Sequence, residues 1–280
     1  EVKWDDQGVA VEYRRTMLSV TADPLGILVL DDTGFPKKGR DSVCVARQYC
    51  GASGKTDNCQ IGVSMTYVGR DVAWPYAMEL FIPESWDQAG NDDCEAKRKK
   101  TRMPESAHYS PKWRIALDLV DLTRKDHVPH RAVLADGWYG NIPEFRQELT
   151  SRSESYILGV YSSTQVFLEA PPVLEIAPVK ERKRGRPRTR PNSVAINPEP
   201  VKLSALGESI ADDAWQRLEL RRDSRDKPLL VDAVSLRVWP AHGWRQGNLH
   251  EQVWLLIERR QLKQGGHELR YFFSNMPQYL

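Results

Sequence analysis

The apolar positions of this chain change period several times, and the changes mark its elements. Residues 1 to 23 scatter Val9, Val11, Met17, Leu18 and Val20 among charges, a lead-in segment that reads weakly as helix or loop. After the turn signal Asp-Pro-Leu-Gly, residues 27 to 30 form an unbroken apolar run, "ILVL", of the kind found in a strand covered on both faces. "SVCVARQYC" and "DNCQIGVSMTYV" follow, rich in β-branched and aromatic residues and joined by the Gly-bearing turn "GASGKTD". "YAMELFIP" extends this antiparallel start, and residues 84 to 105 read as a solvated, charged loop. The stretch "SPKWRIALDLVDLTRK" then predicts a helix, with Ser110 as N-cap, Pro111 in the first turn and Trp113, Ala116, Leu117, Leu119 and Val120 at helical spacing. "RAVLAD" is a second buried strand, "NIPEFRQELTS" a second helix with Asn141 as cap and Pro143 in its first turn, and "SYILGV" a further strand.

Three antiparallel strands, a helix, a strand, a helix and a strand make an α/β chain. A helical crossover has to return its strand parallel to one already in the sheet, and a right-handed connection lays it beside the first. This is the ribonuclease H-like order, a mixed sheet with flanking helices, and it predicts a core over residues 24–170. Residues 171–200 are Pro-rich and basic and read as a linker or arm. Residues 201–280 read as a β-rich insertion subdomain: "DDAWQRLELR" as a short helix or turn, then "LLVDAVSLRVWP", "QVWLLIERRQL" and "ELRYFFSN" as strands.

Composition narrows the function classes. With 280 residues, 40% hydrophobic and 28% charged, the chain has material for one large core or two ordinary ones. No apolar run reaches eighteen residues and the first twenty lack a signal-like apolar core, so a soluble, cytoplasmic protein is expected. Cys44, Cys50, Cys59 and Cys94 form no C-x-x-C pair, which favours reduced structural thiols over zinc. Forty basic residues against 38 acidic ones mean that a polyanion has to be met by local patches. "KERKRGRPRTRP", residues 180 to 191, is such a patch.

The candidate chemistry lies in two aspartates. Asp31 is expected to end the first strand and Asp136 the fourth, so that carboxylates 105 residues apart in sequence meet in space. Crowded carboxylates repel unless a cation lies between them, and oxygen-only ligands favour magnesium or manganese. Two such ions about 3.5 to 4 Å apart activate a water or 3′-hydroxyl and stabilise the leaving oxygen of a phosphodiester. The competing reading is ordinary turn chemistry, since Asp-Thr-Gly and Asp-Gly are common turn sequences. A phosphatase-type nucleophile loop would need a second Asp where Thr33 stands.

"LVLDDTGFPKKG", "SVCVARQYCGASGKTDNCQIGVSM", "LFIPESW" and "VLADGWYGNIPEFRQEL" together resemble the DDE-type transposases of bacterial insertion sequences, in order from about residue 25 to residue 275. The resemblance implies a ribonuclease H-like core with a β-strand insertion, two magnesium or manganese ions, and cleavage and strand transfer at element ends in double-stranded DNA. It also implies a homodimer on DNA and a nucleoid-associated, non-membrane location. On this resemblance Asp31 and Asp136 are the first two metal-binding catalytic acids, and Asp32 orients the turn or tunes the site. The family's third acid is a Glu on a helix after an "SNMP"-type strand end, so it is expected beyond Leu280. Glu258 is the nearest substitute within the chain, although its context is that of an insertion strand. A catalytically incomplete DNA-binding remnant is the alternative function. Within the basic stretch, Lys183, Arg184, Arg186 and Arg188 are the expected DNA contacts. The Arg-Gly-Arg-Pro core resembles a minor-groove hook, and a plain phosphate-binding linker competes with that reading.

Overall fold

The computed structural model describes residues 5–171, 199–222, 227–244, 248, 250–262 and 264–277. In chain order the elements are α1 (Asp6–Thr21), β1 (Ile27–Pro36), β2 (Ala46–Cys50), β3 (Lys55–Val68), β4 (Ala73–Leu80), α2 (Asp92–Lys100), α3 (Lys112–Lys125) and β5 (Ala132–Ala135). They continue with α4 (Gly137–Gly140), α5 (Pro143–Ser151), β6 (Tyr156–Val160), β7 (Gln165–Phe167), β8 (Val201–Lys202) and α6 (Leu203–Ser209). Strands β9 (Gln216–Arg222), β10 (Pro228–Pro240), β11 (Val253–Gln261) and β12 (His267–Ser274) complete the order. The fold is α/β, with mixed sheet and flanking helices in the ribonuclease H-like order. The chain divides into two compact units, Glu1–Asp136 with Glu144–Ser155, and Gly137–Pro143 with Tyr156–Leu280.

In the first unit the sheet order is β2-β3-β1-β5. β1 runs antiparallel to β3 and parallel to β5, as the crossover argument requires. β2 and β4 follow one another along the far edge of β3. One face of the sheet is dry: Leu28, Leu30, Ile61, Val63, Met65 and Tyr67 are all essentially buried. Helix α3 packs on β3 and β4 and buries Ile115, Ala116, Leu119 and Val120. Its apolar face includes Ile115 and leaves Trp113 partly exposed, a rotation from the expected stripe. Pro111 occupies the N-cap and makes no side-chain cap bond, so Ser110 does not cap the helix.

Three further stretches depart from the sequence reading. Within residues 84–105 lie a 3-10 turn, Glu84–Trp86, and helix α2. Asn91 caps α2 by accepting a hydrogen bond from the Cys94 amide at 3.0 Å. Acids in its first turn and bases in its last match the helix dipole, which stabilises a helix that has no apolar stripe. Residues 212–221 are expected as a short helix or turn; Asp212–Ala214 form a 3-10 turn, while Gln216–Arg222 form β9 on β10, with an irregularity at Leu229/Leu230. Finally, β1 does not stop at Asp31 but continues to Pro36 against β3. A Cβ at Gly34 would lie 2.6 Å from the Cys50 sulfur, so this glycine serves close packing inside a strand.

In the second unit the sheet order is β6-β12-β11-β10-β7-β8, with β9 also on β10. Leu158, Val238, Leu255, Ile257 and Phe273 fill its interior. Helix α4 packs on β6, and a Cβ at Gly140 would meet the Gly159 carbonyl oxygen at 1.9 Å, which only glycine allows.

Candidate active site

The parallel ladder between β1 and β5 ends at the pair Leu30↔Ala135. Asp31 is the next residue on β1, and Asp136 is the first residue after β5. Alternation along β1 puts Asp31 on the face opposite Leu30, and Asp31 and Asp136 are both exposed. The Asp31 carboxyl is held above the usual carboxylate range. Packing around it is the largest cause, a hydrogen bond from the Asp32 amide works against it, and the charges of Asp136 and Asp32 add to it. That amide donates to Asp31 Oδ1 at 2.7 Å, and Ser64 Oγ donates to the Asp31 carbonyl at 3.0 Å, so the strand is pinned where the acid projects.

Asp32 faces the other way. It shares the face of Leu28 and Leu30, where Lys112 Nζ, at the first residue of α3, donates to Asp32 Oδ2 at 2.6 Å. Their side chains are only 27% and 18% exposed, and the ammonium also lies 5.3 Å from the Phe81 ring centroid. Of two adjacent acids, one feels the charge of Asp136 and the other is drawn to a lysine on the helix side. Sequence reasoning passed over Lys112, and its only signal was its place at the start of a predicted helix.

Neighbouring carboxyls with oxygen donors only, the charge of one helping to raise the pKa of Asp31, are the donor type that suits magnesium or manganese. Among the described residues no group of three or more His, Cys, Asp or Glu side chains is arranged to hold a metal. Glu258 lies in β11 opposite Arg270 and is ion-paired with Arg260 Nε. Trp138, in α4, is 40% exposed and meets Tyr139 edge to face. The four cysteines are free and buried. Lys183, Arg184, Arg186 and Arg188 lie outside the described residues. No helix among the described residues is long and apolar enough to cross a membrane.

A mixed sheet of ribonuclease H-like order carrying two acids just past the last paired residues of neighbouring parallel strands defines a class of nucleic-acid-processing folds. Residues 1–227 match the family described as DDE superfamily endonuclease, and the chain belongs to that family. It is also 29% identical over 164 residues, 58% of its own length, to a protein of Microchaete diplosiphon named as a probable transposase for insertion sequence element IS701. The matched region is 39% of the length of that relative.

Proposed function

We propose that this chain is the catalytic-core portion of an insertion-sequence transposase that cleaves double-stranded DNA at element ends and joins them to a target. The observation that carries the reading is the register: Asp31 and Asp136 each follow the last parallel pair of β1 and β5, both are exposed, and the charge of Asp136 acts on Asp31. Family membership and the similarity to the IS701 transposase support the choice of DNA as substrate. Residues 24–170 supply these two acids, the basic stretch within 171–200 supplies DNA contacts, and the strands of 201–280 form the insertion.

Asp31 and Asp136 would hold divalent magnesium or manganese, two ions in the complete site. Bound there, the metal supplies Lewis acidity for phosphoryl transfer, activating the attacking oxygen and stabilising the leaving one. The protein's own part is to hold two carboxylates on a rigid strand pair, with the Asp31 backbone fixed by Ser64 and the neighbouring Asp32 kept out of the site by Lys112. Joining two element ends favours a homodimer on DNA.

The test is magnesium- or manganese-dependent nicking of element-end DNA by the full-length protein. Asp31→Asn and Asp136→Asn should each abolish nicking while leaving DNA binding intact. Nicking that survives both substitutions sinks the assignment. Binding without nicking in any metal, by a full-length protein, favours a catalytically incomplete DNA-binding remnant.

A further inference from the structure

The segment that follows β1 and the end of α2 carry positive charge that neither the acid pair nor the packing uses. Lys38 and Arg40 are exposed and Lys37 partly so, and the exposed Lys97, Lys99 and Lys100 occupy the last turn of α2. An ion pair from Lys100 Nζ to Asp41 at 3.0 Å brings the two segments side by side. The acids of α2, Asp92, Asp93 and Glu95, sit in its first turn, at the other end of the helix.

Both segments are held in place by buried or half-buried groups. Asn58 Nδ2, on β3, donates to the carbonyls of Lys37 at 2.7 Å and Gly39 at 2.8 Å, and the Lys37 amide donates to the Asn58 carbonyl. With its backbone tied down, the loop presents its basic side chains outward. Arg98, the one base of α2 that turns inward, donates to the carbonyls of Trp86, Pro104 and Ala107 and so fixes the helix. A surface of fixed bases on two anchored segments differs from a merely solvated charge run.

We infer that Lys37, Lys38, Arg40, Lys97, Lys99 and Lys100 form a docking surface for the phosphate backbone of duplex DNA, separate from the basic stretch at 180–191. The inference rests on the reading of the chain as a DNA-processing core. Strand β1 joins this surface to Asp31, and the five steps from Asp31 to Pro36 span about 17 Å at the usual strand rise. That length corresponds to about five base pairs at roughly 3.4 Å per step along one strand. The surface therefore grips the duplex near the scissile phosphate, reads no bases, and sets the angle at which the duplex enters.

Salt titration of binding to a duplex that lacks element ends, using the full-length protein, tests this. Each lost phosphate contact lowers the log-log slope by roughly 0.9, so a Lys37→Gln/Lys38→Gln/Arg40→Gln variant should lose up to about 2.7 in slope. The helix variant Lys97→Gln/Lys99→Gln/Lys100→Gln should lose a similar amount, and both losses should persist when Arg184 and Arg186 are already alanine. Asn58→Ala leaves every charge in place yet should lower the slope by freeing the loop. A wild-type protein that does not bind duplex DNA at all overturns the DNA-processing reading and this surface with it. A wild type that binds, with slopes unchanged in the loop and helix variants, overturns the surface alone. Lower melting of the helix variant with an unchanged slope shows that those lysines serve only the helix dipole, and also counts against the proposal.

Discussion

Replacing each of the two adjacent aspartates by asparagine should move stability in different directions. Asp31 sits in a crowded environment that disfavours its charge, with Asp136 and Asp32 adding repulsion. Asn at 31 removes one of the opposing charges, so in the absence of metal the melting temperature should be unchanged or slightly higher. Asp32 instead accepts a charged hydrogen bond at 2.6 Å from Lys112, in a pair less than one-third exposed. Hydrogen bonds to charged groups contribute about 1.5–3 kcal/mol. Partial solvent access brings this to about 1–2 kcal/mol. At roughly 2–4 °C per kcal/mol for a chain of this size class, Asp32→Asn should melt about 2–8 °C below wild type. Lys112→Met should fall in the same range, and the double variant should lose less than the sum of the single losses, because the second change removes a group already left without its ion-pair partner. Differential scanning fluorimetry in chelator gives the three numbers, and metal-dependent nicking by the same variants gives the functional side. There, Asp31→Asn should be inactive and Asp32→Asn only weakened. If Asp31→Asn melts below Asp32→Asn, or if Asp32→Asn is the dead variant, the register is wrong by one residue and the ligand assignment moves to Asp32.

Other consequences follow from particular contacts. His130 Nε2 lies 2.8 Å from Glu154 Oε2 and Nδ1 lies 2.9 Å from the Val128 carbonyl. Burial, the largest influence, lowers the His130 pKa, but these partners together hold it above its ordinary value. A raised folded-state pKa contributes stability that is full below about 6.5 and lost as pH rises through the folded pKa. Melting temperature should therefore fall across that window in wild type, and His130→Gln should flatten the fall; an equal pH slope in both proteins refutes the pairing. Gly140→Ala should destabilise by about 3 kcal/mol or more or give insoluble protein, since its Cβ would meet the Gly159 oxygen at 1.9 Å; a soluble variant with wild-type melting refutes the close approach. Burial pushes the Cys44 thiol up to about 11, and all four cysteines are buried. Iodoacetamide at pH 8 should label them only in denaturant, as read by intact mass, and rapid labelling of the native protein contradicts that burial.

The sequence disclosed those parts of the fold where apolar pattern and burial coincide. Leu28 and Leu30 lie in a continuous apolar run and are essentially inaccessible, and the order of strands and helices around them forces the parallel return at β5. Helix α2 was hidden because "DDCEAKRKK" buries only Cys94; a cap and the order of its charges mark it, while periodicity does not. β9 was hidden for a related reason. Its Leu218 and Leu220 are 45% and 50% exposed on a strand beside β10, so alternation has little burial to report.

The acid pair shows where sequence pattern and three-dimensional register part company. Asp-Asp-Thr-Gly has the composition of a turn, and as a turn it would leave both aspartates free to point anywhere. Inside a ladder they cannot. With β1 paired to β3 from Ile27 through Pro36, consecutive residues take opposite faces, so one aspartate goes to each side of the sheet. Which one goes where follows from Leu28 and Leu30, whose burial fixes the helix-covered face and places Asp32 on it, within reach of Lys112. Asp31 is then left on the opposite face, and the charge of Asp136 acts on it. The glycine that made the segment resemble a turn is needed for a different purpose, to let the Cys50 sulfur approach the strand. Gly34→Ala should therefore disturb the packing of β2 on the sheet while leaving Asp31 and Asp32 on their opposite faces. Loss of stability with preserved affinity for manganese, read from protein whose fold is retained, is the expected pattern. Loss of manganese binding at unchanged stability would return the segment to the turn reading.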